Sequence, residues 1–477
     1  MLTYQDFEAT KDKVSFVSRL ISEHMTSKDY MTAVDADLYD AQRNRTINDF
    51  VKVIYDMSGA ALENFVAANN KIASNFFHRL NTQRVTYSLG NGVSFTDHKK
   101  IVTNENGEEE TIDETKERLG NKFDTDLKKV VYKGVIHGVS FGYWNSDRLY
   151  CFPVTEFAPL YDEYTGALRA GVRFWRLAPD KPRIAVLYEE NGYTRMEAKD
   201  GASFEIKEGK KSYITLTVST NADGEMVVGE DNYASIPIIP FYGSSLKQST
   251  LIGMRNAIDS FDLVRSGFAN DLSDCSEIFW ILENYGGMDD NALAEFRDKL
   301  RLMHIAEMDT TSGGKLTPFR QEIPFSARQT YLTEIRNGIY EDFGALDVHA
   351  VAAGATNDHI DAAYQPMDEN ADDLEYQIIE FIQQILALED IEDMPIFKRN
   401  RISNQKEQTE MVLSAADYLD EETILQKLPF ITVDEVSKIL ARKDAADKER
   451  MTSEPTEDED NPFEQSEEEE EKEEEVQ

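Results

Sequence analysis

Residues 326–388 constrain this chain more than any other stretch, because they read as a helix, a loop of small residues and a second, longer helix. Ser326, with Gln329 three residues on, reads as a capping-box start just after Pro324. Leu332, Ile335, Ile339, Phe343 and Leu346 then recur every three or four residues, which is one buried helical stripe. The pattern stops in residues 347–361, DVHAVAAGATNDHID, too rich in Ala and Gly to build a core. It resumes at Leu374, Ile378, Phe381, Ile382, Ile385 and Leu388, and Pro366 is expected to kink or delay that second helix. Between Asn337 and Phe397 stand fifteen Asp and Glu and no Lys or Arg. Such a stretch suits either an ordinary helix pair with an acidic solvated face or a surface that faces a polyanion without holding it.

The 477 residues suffice for roughly three domains of ~150 residues with sizeable cores. No apolar run approaches the ~18 residues that span a bilayer, and residues 1–20 lack a signal-peptide core. Cys151 and Cys275 stand far apart without metal or redox spacing, as expected of small apolar packing groups in a protein made in a reduced cytoplasm. A net charge of −40 argues against tight gripping of phosphates, which calls for a basic patch or stripe.

In chain order, residues 4–24 and 30–55 suit two amphipathic helices. Ile72, Phe76 and Leu80 fit a helix face, Val85, Tyr87 and Leu89 alternate like a strand, and Asn91-Gly92 supplies a turn. Residues 99–117 are polar and read as an exposed loop, and a helix begins at Phe123 and ends among Gly134, Gly138 and Gly142. From 141 to 242 the texture is β-rich: GALRAGVRFWRL is a strand, RIAVLYEENGYTRMEA a hairpin about Asn191-Gly192, and SFEIKEGKKSYITLTV two more strands. IPIIPFY closes this region, its prolines placing it at an edge or connector. A helix over 249–279 follows.

Residues 279–324 read as a small α/β unit inserted between two long helices: FWILENY a strand, 289–304 a helix, and HIAEMD and KLTPFR two further strands. IFKRNRI is a last strand candidate, and short helices are expected over 404–418, 421–428 and 433–442, the last capped by Thr432 with Glu435. Beyond about 444 the glutamate runs form a low-complexity segment expected to stay disordered.

Catalytic signatures are missing. Gly313-Gly314-Lys315-Leu316-Thr317 lacks the first glycine of a phosphate loop and the hydroxyl that should follow its lysine, so a β-turn is the better reading. His349, Asp358, His359 and Asp361 have no firm metal-ligand spacing. There is no nucleophile elbow or dinucleotide fingerprint. Neither a cofactor nor a metal is expected, and nothing supports an enzyme.

Three blocks in order, NNKIASNFFHRLNTQRVTYSLGNGVSF, HGVSFGYWNSDRLYCFPVTEFAPLYDEYTGALRAGVRFW and IPIIPFYGSSLKQSTLIGMRNAIDSFDLVRSGFANDLSDCSEIFWILENYGG, resemble the portal, or head-to-tail connector, proteins of long-tailed bacteriophages. The third is the strongest, through Ile258-Asp259, Phe261-Asp262 and Ala269-Asn270-Asp271-Leu272. The resemblance covers about residues 63–442.

The resemblance implies an α+β, multi-domain portal fold: a wing over 1–248, a helical stem from 249–279 and 326–346, an α/β clip over 280–325, a tunnel loop over 347–361, a long kinked wing helix and final strand over 362–403, and an α-helical crown over 404–443. It implies a closed ring, twelvefold in the virion, that is assembled in the host cytoplasm and stands at one capsid vertex. Double-stranded DNA would pass through it without sequence specificity, and no membrane is involved. The implied protein partners are the terminase large subunit, a head completion or connector protein, the scaffold and the major capsid protein. Val348, His349, Ala350, Val351, Ala352, Ala353, Gly354, Ala355, Thr356 and Asn357 would line the tunnel, and Asp289, Asp290, Glu295, Arg297 and Lys315 would belong to the clip docking surface. A capsid or scaffold-associated subunit is the competing reading.

Overall fold

The computed structural model describes residues 2–55, 58–64, 67–103, 109–199, 202–220, 226–274, 279–283, 291, 294–295, 315–319, 324–348, 357–401, 405–428, 431, 436, 439–440 and 442–443. The chain divides into two compact units, one of Met1–Ala352 with Asp361–Arg401 and the other of Ala353–Ile360 with Ile402–Gln477.

Four short helices open the first unit: α1 (Tyr4–Ala9), α2 (Lys13–Met25), α3 (Lys28–Asp40) and α4 (Arg45–Asn48). Both longer helices expected here are divided, the first at the Asp12 cap and the second after Asp40, where Gln42 takes a φ of +56°. Thr3 and Asp6 form a capping box on α1, Asp12 accepts from the amides of Val14 and Ser15 to start α2, and Ser27 accepts from Tyr30 N to start α3. The end of the second expected helix is a strand, β1 (Val53–Tyr55), paired with β2 (Ala61–Glu63).

α5 (Phe76–Leu89) overturns the expected strand, since Val85, Tyr87 and Leu89 all lie in its last turns. They alternate without forming a strand because α5 is buried around most of its circumference, Phe77, Leu80, Asn81, Val85 and Ser88 included. Gly92, at φ +74°, makes the expected turn into β3 (Val93–Phe95). The expected loop over 99–117 is also corrected. It holds an antiparallel hairpin, β4 (Lys99–Thr103) with β5 (Glu109–Asp113), and then α6 (Glu114–Leu119) capped by Asp113. α7 (Phe123–His137) stops at Gly138, whose φ of +93° ends the helix.

The strands expected in the β-rich region form, and four further strands stand beside them. β6 (Val139–Trp144), β7 (Leu149–Pro153) and the later β15 (Ile238–Tyr242) form a three-stranded sheet in the order β15-β6-β7. β15 is an edge, as its prolines require. Between them β8 (Phe157–Tyr161), β9 (Leu168–Arg176), β10 (Arg183–Glu189), β11 (Gly192–Ala198) and β12 (Glu205–Lys211) form a five-stranded meander. The hairpin about Asn191-Gly192 pairs Glu189 with Gly192, and β13 (Ile214–Thr220) pairs with β14 (Met226–Asp231).

α8 (Leu251–Asp274) is the expected long helix, and β16 (Phe279–Glu283) pairs antiparallel with β17 (Lys315–Phe319). The HIAEMD segment lies outside the described residues, as does most of 289–304, of which 291, 294 and 295 are helical. α9 (Phe325–Phe343) begins one residue before the expected cap. Its N-cap is Pro324, and Ser326 lies inside the helix, so the capping box does not form. α10 (Asn357–Leu388) runs unbroken through Pro366, which therefore does not delay it. β18 (Pro395–Phe397) pairs with β3. In the second unit, α11 (Gln405–Ser414), a 3-10 turn at Ala416–Tyr418 and α12 (Glu421–Lys427, capped by Asp420) match the short helices expected over 404–428. The expected helix over 433–442 has only residues 436, 439, 440 and 442 described, all helical, while Thr432, Glu435 and residues 444–477 lie outside.

The core is assembled from distant segments. Leu127, Val130 and Val131 of α7, Trp144, Phe241 of β15, and Leu374, Ile378, Phe381, Ile382 and Ile385 of α10 form one buried cluster. A second cluster lays α1 and α2 on the five-stranded sheet through Phe7, Phe16, Leu20, Leu160, Val172 and Leu187. A third joins Tyr39, Phe76, Phe77, Leu80, Ile136, Ile258, Ile339 and Tyr340, seating α8 and α9 against α3, α5 and α7. Close backbone approach fixes the first cluster: a Cβ added at Gly243 would stand 2.5 Å from Gly134 O and from Val135 Cα.

Candidate functional site

The helical pair α8 and α9 and the start of α10 are held by different chemistries along their length. Toward the inserted unit, Phe268 packs on Phe325 with centroids 5.4 Å apart, and Arg328 pairs with Asp271. Toward the core, Phe76 meets both Phe261 and Tyr340 edge-on at 5.0 and 6.2 Å. The face of α8 turned to the N-terminal segments is polar instead. Asp259 accepts from Tyr39 and Thr46, Asp262 from Asn44 and the amide of Ser74, and Ser266 from the amide of Ile72. Burial pushes the carboxyl of Asp262 above its usual value despite those donors.

The chain leaves α9 through Gly344, which takes the left-handed conformation (φ +61°). Phe343 O accepts from Asn370 Nδ2 of α10 at 2.9 Å, and Leu346 O accepts from Gln83 Nε2 of α5 at 3.0 Å. Asp347 is gripped by Arg336, with Nη1 2.7 Å from Oδ2 and Nη2 2.9 Å from Oδ1. The path of the backbone is thereby set up to Val348, which is 59% exposed.

Of the expected tunnel residues, His349, Ala350, Val351, Ala352, Ala353, Gly354, Ala355 and Thr356 lie outside the described residues, and Asn357 opens α10. Of the expected clip residues, Glu295 is helical and exposed, Lys315 opens β17 opposite Glu283, and Asp289, Asp290 and Arg297 lie outside. Lys315 to Thr317 are strand rather than the mouth of a helix, unlike a phosphate loop.

The acidic stretch is less bare than its composition. Just past Phe397, Arg399 binds Asp368 at 3.0 Å and Glu375 at 2.9 Å, and also binds Asp372. Arg401 binds Asp361 at 3.2 Å and also Asp368, and its Nε donates to Tyr87 at 2.8 Å. Glu375 foremost, with Asp372, raises the pKa of Arg399. Burial and then the hydrogen bond to Asp368 push the Tyr87 phenol up to about 12. Glu389 accepts from Trp144 Nε1 at 2.7 Å, and the buried Asp393 accepts from Thr115 at 2.6 Å and from the amides of Asp97 and Met394. Glu341, Asp342, Glu369, Glu380, Asp390 and Glu392 are exposed and have no ion pair among the described residues. Arg399 and Arg401 gave no signal in the sequence because the acid-only window closes two and four residues before them.

Among the described residues no cluster of three His, Cys, Asp or Glu could hold a metal, and no helix is long and apolar enough to cross a membrane. Cys151 is partly buried, and burial pushes its thiol up to about 12, which leaves it a poor nucleophile.

The described residues therefore give a helical pair with a strand pair inserted between its two helices, followed in the chain by an acidic helix. Known proteins are similar to this chain in sequence. The portal protein of Clostridium phage phiCD119 is 26% identical over 401 residues, 78% of this chain and 84% of that relative. The portal protein of Bacillus phage SPP1 is 23% identical over 391 residues, 78% of this chain and 71% of that relative. The family described as "Phage portal protein, SPP1 Gp6-like" matches residues 28–449, nearly the whole described chain, and this protein belongs to that family.

Proposed function

We propose that this portal protein forms a closed ring of twelve subunits at one vertex of a tailed-phage capsid and conducts double-stranded DNA during packaging and ejection. Family membership over residues 28–449, together with the two helices flanking an inserted strand pair, supports this reading. Here α8 and α9 are the stem, the unit between them is the clip, and residues 348–357 line the tunnel. The first unit supplies the wing, and the helices after residue 404 the crown. The protein is structural: the packaging ATPase is a separate terminase whose large subunit docks on the clip about Asp289, Asp290, Glu295, Arg297 and Lys315. A head completion or connector protein follows it at the tail end, while scaffold and major capsid protein surround the ring.

The physics of the channel favours small side chains and carboxylates over cations. Every Lys or Arg that neutralises a phosphate adds a salt-sensitive attraction that must be broken at each step of translocation. A lumen without such contacts leaves the duplex centred and free to move. Negative-stain electron microscopy with native mass measurement on the purified chain tests the assembly. Rings with an axial hole are expected, whereas shells, rods or filaments would overturn the reading.

A further inference from the structure

Residues 50–55 and 58–63 form an arm that the chain clamps at its base and whose described side chains it leaves unburied. β1 and β2 pair through Val53↔Glu63, Ile54↔Leu62 and Tyr55↔Ala61, and no third strand joins them among the described residues. Tyr55 is 71% exposed and Leu62 50%, while Phe50, Val51 and Val53 are also exposed. No residue from Phe50 to Glu63 whose side chain is described is buried.

Both feet of the arm are fastened to α8. On the incoming side, Asn44 donates to Asp262 and to Ser74 O, and Thr46 donates to Asp259 at 2.6 Å. On the outgoing side, the amides of Ile72 and Ser74 donate to Ser266 at 3.0 Å and Asp262 at 2.9 Å, and that of Asn70 donates to Asn270. Asp262, Ser266 and Asn270 are buried and recur every four residues along one helical face. A polar clamp of this kind has directional bonds, so it fixes where the arm projects, as an apolar contact would not.

An exposed two-stranded apolar ribbon is an aggregation hazard unless something covers it. Its charge indicates what does. Copies of a chain with net charge −40 repel one another over most of their surface, yet between Phe50 and Leu62 the only charged residues are Lys52 and Asp56. Interface cores are depleted of charge and enriched in aromatic residues, and this stretch meets both conditions. A ring of identical subunits also needs two unlike surfaces on each chain, one for either neighbour. We infer that the β1–β2 arm is one of these surfaces and seats against the adjacent copy of this chain. The inference rests on the ring assembly proposed above.

The test uses the full-length protein carrying Tyr55→Lys and Leu62→Lys together. Both side chains are exposed in the single chain, so its thermal unfolding should match the wild type. Native mass spectrometry across a concentration series should show ring formation shifted to concentrations at least about tenfold higher, as expected when an aromatic interface anchor is lost. In parallel, a photoreactive benzoylphenylalanine at position 55 should yield a product of two portal chains. Wild-type rings with an unshifted Lys variant, or a photoproduct confined to one chain or formed with the capsid protein, would overturn the arm's role and leave the ring reading intact. A wild-type protein giving neither rings nor a two-chain photoproduct would overturn both.

Discussion

Arg336 reaches across eleven residues to grip Asp347 with both guanidinium nitrogens, at 2.7 and 2.9 Å. The pair joins the middle of α9 to the last turn of backbone before the small-residue loop. It is a fork-to-fork contact of the kind that fixes direction as well as distance. Whatever the loop meets, its first residue leaves the helical pair from a set point.

Replacing Arg336 with Ala should therefore affect function more than stability. The pair is partly solvent-exposed, so its loss is expected to cost about 1 kcal/mol or less. Urea unfolding should register that small change, while DNA packaging should fall clearly more than the stability loss accounts for. Equal, small effects on both would mean that the pair does not position the loop.

Lysines at Ala352, Ala355 and Thr356 together should slow or stop packaging while rings still form. Each added cation offers the passing phosphates a contact that must be broken. The effect should weaken as salt is raised, and packaging assays at two ionic strengths would show it. Unchanged packaging would mean that the loop does not face the DNA.

Asp393 is a carboxylate with no exposed side-chain surface. Burial alone would raise its pKa, but the donors Thr115, Asp97 N, Met394 N and His98 outweigh it and hold the carboxyl well below its usual range. Because the folded state binds this proton less readily than the unfolded chain, the stability it contributes is present above the ordinary carboxylate value near ~3.9 and is lost as pH falls through the lower folded value. Asp393→Asn should cost about 2 kcal/mol at pH 7. Chemical denaturation at a series of pH values should show the gap from wild type narrowing below ~4. A gap constant with pH would show that charge is not what this site uses.

Gly243→Ala should destabilise the first unit by about 2 kcal/mol or more, because the new methyl meets the backbone of α7, which has no rotamer to yield. Gly166→Ala meets nothing within 4 Å, although its φ of +69° adds strain, and should cost less. Thermal unfolding of the two variants side by side decides the order.

The long helices α8, α9 and α10 were legible because each buries one stripe that shows its period, and the runs that form β9 to β12 because turn signals such as Asn191-Gly192 bound them. α5 was misread for the opposite reason: packed on several sides at once, with Tyr364 stacked on Tyr87 at 5.7 Å, it loses its helical period and leaves an accidental alternation. The β4–β5 hairpin was missed because its residues are mostly polar and its pairing is made by the backbone, which composition does not report. At the site, the acidic helix was visible as composition. The clamp of Asp262, Ser266 and Asn270 was not, since its partners at 44–46 and 70–74 lie about two hundred residues away and are amides and small polar groups. Likewise Tyr87, the shared neighbour of Asp368 and Arg401, had no signal of its own.

The first core cluster has a further consequence for how the protein is made. Leu127, Val130 and Val131 share their buried cluster with Leu374, Ile378, Phe381 and Ile385 of α10, some 250 residues later. At ribosomal rates of ~5–20 residues per second, α7 leaves the ribosome roughly 10 to 50 seconds before the helix that completes this cluster. Throughout that interval the nascent chain lacks the α10 part of this cluster and so a complete first unit. A subunit still being translated therefore cannot present a finished surface to its neighbours, and the order of synthesis itself separates folding from association.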